Sequence, residues 1–413
     1  MDWSNSMETA IATIPAAHTS PTAPGDAGHN GQQTIHHSAR EKVPWPKEIW
    51  DHMDREVHEE SLRVRVGAKF LNSRPVHPKT TSVPPQLIEA VTLAGDNPGA
   101  PAKNDGTPAT PAQVTLTVDE GLTIRLNEIW TEFALTPQQV HETAEAKDPR
   151  DCIAVTLARR SAQYLSLAQD YVIFQGVLAY NTGFFEQNIR SRPGQLPADL
   201  GMLGFDPQGA QALNPNIPLP PTDHFIPVPQ VTPAFPGVIY GQNTFLAVEE
   251  GYSVLNAYGH TGEYALILHT IPYADLFAPV GTESLAITAD RVAPLVKAGI
   301  HSTGTLPSKA PSITPSPIVT PPTYPVNFST ATTTPPAAVP TPVKIVAGNT
   351  TNAPNYYGLL VSLGGDTMDL VVGHHTIVTF MQQDPDDNWR FRVLERFAFR
   401  LKDPTAVVVL GFL

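Results

Sequence analysis

From Trp389 to Lys402 the chain alternates with a period of two. Trp389, Phe391, Val393, Glu395, Phe397, Phe399 and Leu401 hold the odd positions, and Arg390, Arg392, Leu394, Arg396, Ala398, Arg400 and Lys402 the even ones. In an extended strand that pattern puts aromatic and aliphatic groups on one sheet face and guanidinium groups on the other. Met368 to Met381 reads as a further apolar-rich strand pair interrupted at Gly373. Asp384, Pro385, Asp386, Asp387 and Asn388 supply the turn, because Pro presets the turn backbone and Asp and Asn cap it. Asp403 and Pro404 break the strand, and Ala406 to Leu410 is a short buried one. The C-terminal end is therefore a long β-hairpin with a basic face.

Upstream, residues 1–44 are rich in Ala, Thr, Pro, Gly and His without a hydrophobic period, and are expected to be disordered or an arm ordered by neighbours. His29, His36 and His37 lie there, in a segment that supplies no fixed ligand geometry. Pro46 opens a helix whose Ile49, Trp50, Met53 and Val57 form an apolar stripe. Between residues 90 and 118, Gly, Asp, Asn and Pro separate two strand-like pieces. Val114, Leu116 and Val118 alternate, as do Leu122, Ile124 and Leu126. Thr136 and Pro137 cap a helix that breaks near Asp148 and Pro149. A second helix runs from Asp151 to Gln175, with Ile153, Leu157, Tyr164, Leu165, Ala168 and Val172 on its apolar side and Arg159, Gln163 and Gln169 off it. Gly176 stops it. Eleven prolines between Pro193 and Pro236 mark residues 184–237 as an insertion without periodicity. Gln242 to Ala257 reads as a helix, Ala265 to Leu268 as a buried strand, and Leu285 to Ala298 as a helix ended by Gly299. Eleven more prolines, from Pro307 to Pro342, favour extended backbone in residues 303–356. That segment is either a decoration making ordered contacts or a solvated linker.

Several chemistries have no support. The single cysteine, Cys152, excludes an intrachain disulfide and a multi-thiolate zinc site, and no His or Asn is placed by sequence to make it a nucleophile. No phosphate-binding glycine loop, nucleophile elbow or paired zinc-ligand motif occurs. Asp384, Asp386, Asn388 and Glu395 match four places of a calcium-loop register, but Trp389 stands where the sharp turn needs Gly, which favours the hairpin turn. His374 and His375 are adjacent in a strand and point to opposite faces. The net charge of −13 argues against broad binding to nucleic acid or an anionic membrane. With no leader-like or membrane-spanning run, a soluble cytoplasmic protein without a cofactor is expected.

The stretches "DLVVGHHTIVTF" and "FRVLERFAFRLKDPTAVVVL" resemble the C-terminal end of the encapsulins, prokaryotic shell proteins built on the fold of tailed-bacteriophage capsids. Three other stretches agree in order: "EIWDHMDREVHEESLRVRVGAKFL" (48–71), "LSLAQDYVIFQG" (165–176) and "GEYALILHTIPYADLF" (262–277). The resemblance implies an α+β, bacteriophage major-capsid-like fold. Its parts would be an N-terminal helix and arm (45–88), an extended loop (89–126), a peripheral domain with spine helix (127–183 and 357–413) and an axial domain (238–302). The two Pro-rich segments are insertions in this plan. It implies a non-catalytic subunit that self-assembles as an icosahedral homo-oligomer of sixty copies or a multiple, encloses a cargo enzyme and admits small molecules through pores. The candidate cargo-binding residues are then Ile49, Trp50, Met53, Val57, Phe70 and Leu71, and the candidate pore loop is Pro279, Val280, Gly281, Thr282, Glu283 and Ser284. The rival is a major capsid protein of a virus or prophage packaging nucleic acid, for which Arg390, Arg392, Arg396 and Arg400 would be the lining face.

Overall fold

The computed structural model describes residues 40–92, 114–119, 123–146, 148, 152–191, 201–203, 224–231, 238–281, 284–308, 354–364 and 366–413. In chain order it contains α1 (Lys47–Val64), β1 (Asn72–Pro75), β2 (Ser82–Val83), β3 (Leu87–Thr92), β4 (Val114–Asp119), β5 (Ile124–Arg125) and β6 (Asn127–Leu135). Next come α2 (Pro137–Glu145), α3 (Ile153–Gln175), α4 (Gly183–Asn188), β7 (Arg190–Ser191), β8 (Phe225–Val228) and α5 (Gln242–Ala257). Then follow β9 (Tyr264–His269), α6 (Thr270–Leu276), β10 (Pro279–Gly281), β11 (Ser284–Ile287), α7 (Thr288–Val292) and β12 (Ile300–Thr303). The chain closes with β13 (Tyr356–Ser362), β14 (Met368–Gln383), β15 (Trp389–Leu401) and β16 (Val407–Phe412).

The alternating stretch forms the centre of a five-stranded sheet ordered β1-β14-β15-β6-β7. β14 is one strand, where a pair was expected. Its register against β15 shifts between Val372 and His374, and a Cβ on Gly373 would lie 2.7 Å from Leu126 Cδ2, so any larger residue there displaces that buried side chain. The odd positions of β15 face α1 and the long helix α3, and Phe391, Val393, Phe397 and Phe399 are buried there. In the turn, Asp384 Oδ1 accepts from the amides of Asp386 (3.1 Å) and Asn388 (2.9 Å), and Asp387 takes φ 60°, a conformation Asp tolerates. Glu395 turns into the core, so the calcium register is not assembled.

α3 is the spine. Its 23 residues span about 34 Å at 1.5 Å per residue, and Gly176 ends it at φ 55°. Two expected positions on it are reversed. Ile153 is exposed, because it stands at the first turn beyond the packed face, while Gln169 is fully buried because it has a partner in Glu395. α2 carries the expected cap: Thr136 Oγ1 accepts from the Gln139 amide, and the Gln139 side chain returns to the Thr136 amide.

The second sheet, β12-β9-β13-β16-β8, is buried on both faces. Ala265, Ile267, Leu359, Val361, Val407 and Val409 join the core under α3, whereas Tyr264, Leu266, Leu268, Leu360, Val408 and Leu410 join a separate core under α5, α6 and α7. That double burial accounts for continuous apolar runs such as "ALIL" and "VVVL" where alternation is absent.

Three expectations are corrected. The helix expected at Leu285–Ala298 is a strand, β11, followed by the five-residue α7, because Ser284–Ile287 pairs antiparallel with β10. Residues 184–237 are only partly an insertion. α4 and β7 belong to the fold, Met202 and Leu203 donate their amides to Ile173 and Phe174 O at the end of the spine, and β8 pairs parallel with β16. Pro227 fits there because β8 is an edge strand. The third correction concerns the stripe of α1 and is given below. Residues 1–39, 93–113, 120–122 and 309–353 lie outside the described residues, and with them His29, His36, His37, Leu122 and most of the second Pro-rich segment. The ends of that segment meet: Ser308 bridges to Tyr356.

Candidate assembly and docking surfaces

The stripe of α1 faces its own subunit. Met53 and Val57 are fully buried, Ile49 and Trp50 nearly so, and all four belong to the core shared with α3 and the first sheet. Trp45 stacks on Phe391 at 5.0 Å and 4°, Phe133 stacks on the same ring at 5.2 Å, and Trp50 tilts against Trp45 at 4.9 Å. Arg40 locks the helix from outside. It holds Asp54 with two hydrogen bonds of 2.8 Å, donates to Val378 O at 3.1 Å, and lies over the Trp50 ring. Ile49, Trp50, Met53 and Val57 therefore serve the fold and do not line a groove open on the subunit. The amphipathic stripe reports which face is covered, and the core covers it.

Of the remaining candidates, Leu71 is buried and Phe70 half-buried, its ring 5.6 Å from that of His301 on β12. Burial holds the His301 imidazole below its ordinary pKa. Phe70 and Leu71 thus sit where the segment after α1 crosses to the second sheet. Pro279, Val280, Gly281 and Ser284 fall in the β10–β11 hairpin, where Gly281 faces Ser284 across its end. Thr282 and Glu283 lie outside the described residues.

The strand arginines are engaged. Arg390 Nε lies 3.3 Å from Asp384, and Arg392 pairs with Glu132 at 2.9 Å while lying over the Trp130 ring at 4.4 Å. Arg396 donates to Pro78 O at 3.1 Å. Arg400 grips Asp369 through two bonds of 2.6 and 2.7 Å. Asp369, itself fully buried, also receives Arg74 and Lys402, each at 2.9 Å, and Lys402 reaches Asp366 at 2.6 Å. This ionic cluster stands at the root of β3–β4, since the Ile88 amide donates to Lys402 O at 2.8 Å and Arg400 donates to Pro84 O at 3.2 Å.

β3 and β4 pair with each other from Leu87↔Asp119 to Thr92↔Val114, and no third strand joins them among the described residues. Isolated two-stranded hairpins are marginal in water and expose two unpaired edges.

A polar joint that sequence reasoning missed lies under this framework. Arg65 Nη2 donates to Glu395 Oε2 at 2.7 Å and to Thr376 Oγ1 at 2.6 Å, and Gln169 Nε2 donates to Glu395 Oε1 at 2.9 Å. Beside it, Asp170 accepts the amides of Val66 (2.8 Å) and Gly67 (2.9 Å). Burial pushes the Asp170 carboxyl up to about 6, against the lowering effect of those amides, and burial raises Glu395 against the pull of Arg65. The signal for Glu395 was present: a carboxylate in phase with the apolar residues of an alternating strand must find a buried partner. Among the described residues no group of three or more His, Cys, Asp or Glu is placed to hold a metal ion, and no helix is long and apolar enough to cross a membrane.

The chain is an α+β protein whose helix, hairpin, spine and two sheets follow one another in a fixed order. No protein-family model matches it, and no curated protein does. Solved structures are similar in arrangement. A virus-like particle from Pyrococcus furiosus shares 12% identity over 88% of this chain and 100% of its own, with a TM-score of 0.46. A structure titled for Mycobacterium phage Ogopogo shares 13% over 84% and 92%, at 0.47. The capsid of a native GTA particle shares 12% over 86% and 90%, at 0.44. At such scores the functional reading rests on the chain's own residues.

Proposed function

We propose that this chain is a non-catalytic shell subunit that self-assembles into a closed, capsid-like icosahedral particle of sixty copies or a multiple. The observation that carries the reading is the β3–β4 hairpin, a two-stranded ribbon rooted in an ionic cluster and lacking a third strand among the described residues. The backbone pairing runs from Leu87↔Asp119 to Thr92↔Val114, and a neighbouring subunit supplies the partner that such a two-stranded ribbon needs. The stretches that resemble encapsulins in order support the same plan. Size-exclusion chromatography with negative-stain microscopy tests it: closed particles are expected, and a stable monomer at physiological salt would sink it.

The finer reading is a cytoplasmic encapsulin-type compartment around a cargo enzyme. It is favoured over a nucleic-acid capsid by the strand arginines, which carboxylates and carbonyls already occupy, and by the net charge of −13. Cargo would dock near Phe70, and small molecules would pass at the hairpin Pro279–Ser284. Particles purified from the native host should carry a co-purifying protein and no nuclease-protected nucleic acid. Phe70→Asp should leave assembly intact and reduce that protein, since a carboxylate opposes an apolar ligand. Full loading of Phe70→Asp particles would place the docking surface elsewhere.

A further inference from the structure

Asp170 and Glu395 are both fully buried; the Arg65 guanidinium is bonded to Glu395, while Asp170 takes the backbone amides of Val66 and Gly67 from the segment leaving α1. The joint is built from four elements. α1 and the turn after it bring Ser61, Arg65, Val66 and Gly67; the spine brings Ser166, Gln169 and Asp170; β14 brings Thr376; β15 brings Glu395. The other charged groups nearby are Lys69, which favours the Asp170 carboxylate from a distance, and Glu60, one turn back, which is held by Arg63 and hydrogen-bonded by Gln163. His301 faces Phe70 and Lys69 on the far side of the turn, and His58 and His375 meet edge-on at 5.8 Å beyond Thr376. The joint is tight as well as buried. A Cβ on Gly67 would lie 2.8 Å from Ile173 Cδ1 on the spine. Arg65 Nε and Gln169 Oε1 are buried without a hydrogen-bond partner.

With two carboxylates and one bonded cation, the joint holds one negative charge in excess when all three groups are ionised. We infer that this joint is a proton-coupled latch: taking up one proton in mild acid neutralises the excess charge and tightens the hold of Arg65–Leu71 on the spine helix. Asp170 is the group that takes the proton. Its two contacts come from backbone amides, and a protonated carboxyl still offers them its carbonyl oxygen and a weaker hydroxyl acceptor, whereas Glu395 keeps the salt bridge to Arg65.

The sign follows from linkage. The carboxyl of Asp170 is held at about 6 in the folded protein, above its ordinary 3.8, so the folded state binds the proton more tightly. The stabilisation is present in full below 3.8 and is lost as pH rises through about 6. At pH 5 the latch is about tenfold more closed than at pH 7.5.

Hydrogen exchange on the purified full-length protein, corrected for the intrinsic pH dependence of amide exchange, reads this directly. Peptides covering 61–71 should gain about tenfold in protection between pH 7.5 and pH 5, relative to peptides from β9 and β16. Asp170→Asn should flatten that gain. Glu395→Gln keeps Asp170 but removes a neighbouring negative charge, so its transition should move to lower pH, and this variant decides the matter if Asp170→Asn does not fold. Protection of 61–71 that is the same at both pH values overturns the latch. So does a gain that survives Asp170→Asn in full, or a midpoint unmoved by Glu395→Gln.

Discussion

Glu395 occupies a position that the alternation of β15 assigns to apolar groups, and Arg65 is its salt-bridge partner, 5% exposed against 0% for the glutamate. Such a pair contributes little net stability, because desolvation of both ions offsets their attraction. Breaking it is a different matter, since one ion is then left buried alone. Arg65→Met should cost about 3–5 kcal/mol in chemical denaturation, and the double variant Arg65→Met with Glu395→Leu should recover most of that. Equal losses in the single and double variants would mean that Arg65 acts through packing of its stem. The α1 stripe makes a simpler case. Met53→Ala should cost about 2–5 kcal/mol and lower soluble yield, as befits a core position. Unchanged stability with reduced cargo loading would restore Met53 to a docking role.

At the scale of elements, what the sequence disclosed follows from how local each cause is. The β14–β15 hairpin is legible because an apolar-rich run and a strand with a period of two flank a turn rich in Asp, and α3 because its apolar spacing runs unbroken to Gly176. β8 is hidden among prolines, since its neighbour among the described residues, β16, lies about 180 residues away in sequence and nothing local marks parallel pairing. β11 was mistaken for helix because four residues cannot declare a period, and pairing with β10 decided it. In the candidate site, Phe70 is legible as an arm residue, but an amphipathic stripe such as that of α1 reads equally as a core face or, through the resemblance, as a docking face, and the core claims it. Asp170 and Gln169 gave no signal, because polar residues on a long helix are ordinarily solvated. The second Pro-rich segment carries a clear expectation. Its ends are joined by the Ser308–Tyr356 bridge, so replacing residues 309–353 with a short Gly/Ser linker should leave the far-UV circular dichroism of the fold unchanged. Loss of all soluble protein would show that the segment belongs to the core.

For the whole molecule, we propose that the subunit is complete only beside its neighbours. Its cores close within the chain, around α3 and around the second sheet, so it should fold as a unit. Among the described residues the β3–β4 hairpin is joined by no third strand, and its root is fastened by Asp369, Arg400 and Lys402. Shortening that hairpin should therefore yield folded subunits that no longer form particles, detected as a shift to small species in size-exclusion chromatography with retained circular dichroism. The most direct measurement is a cryo-electron-microscopy reconstruction of the full-length protein. It should show closed particles in which the β3–β4 hairpin of each subunit lies against the next. A monodisperse monomer, or a particle whose hairpins touch only their own subunits, would contradict the account.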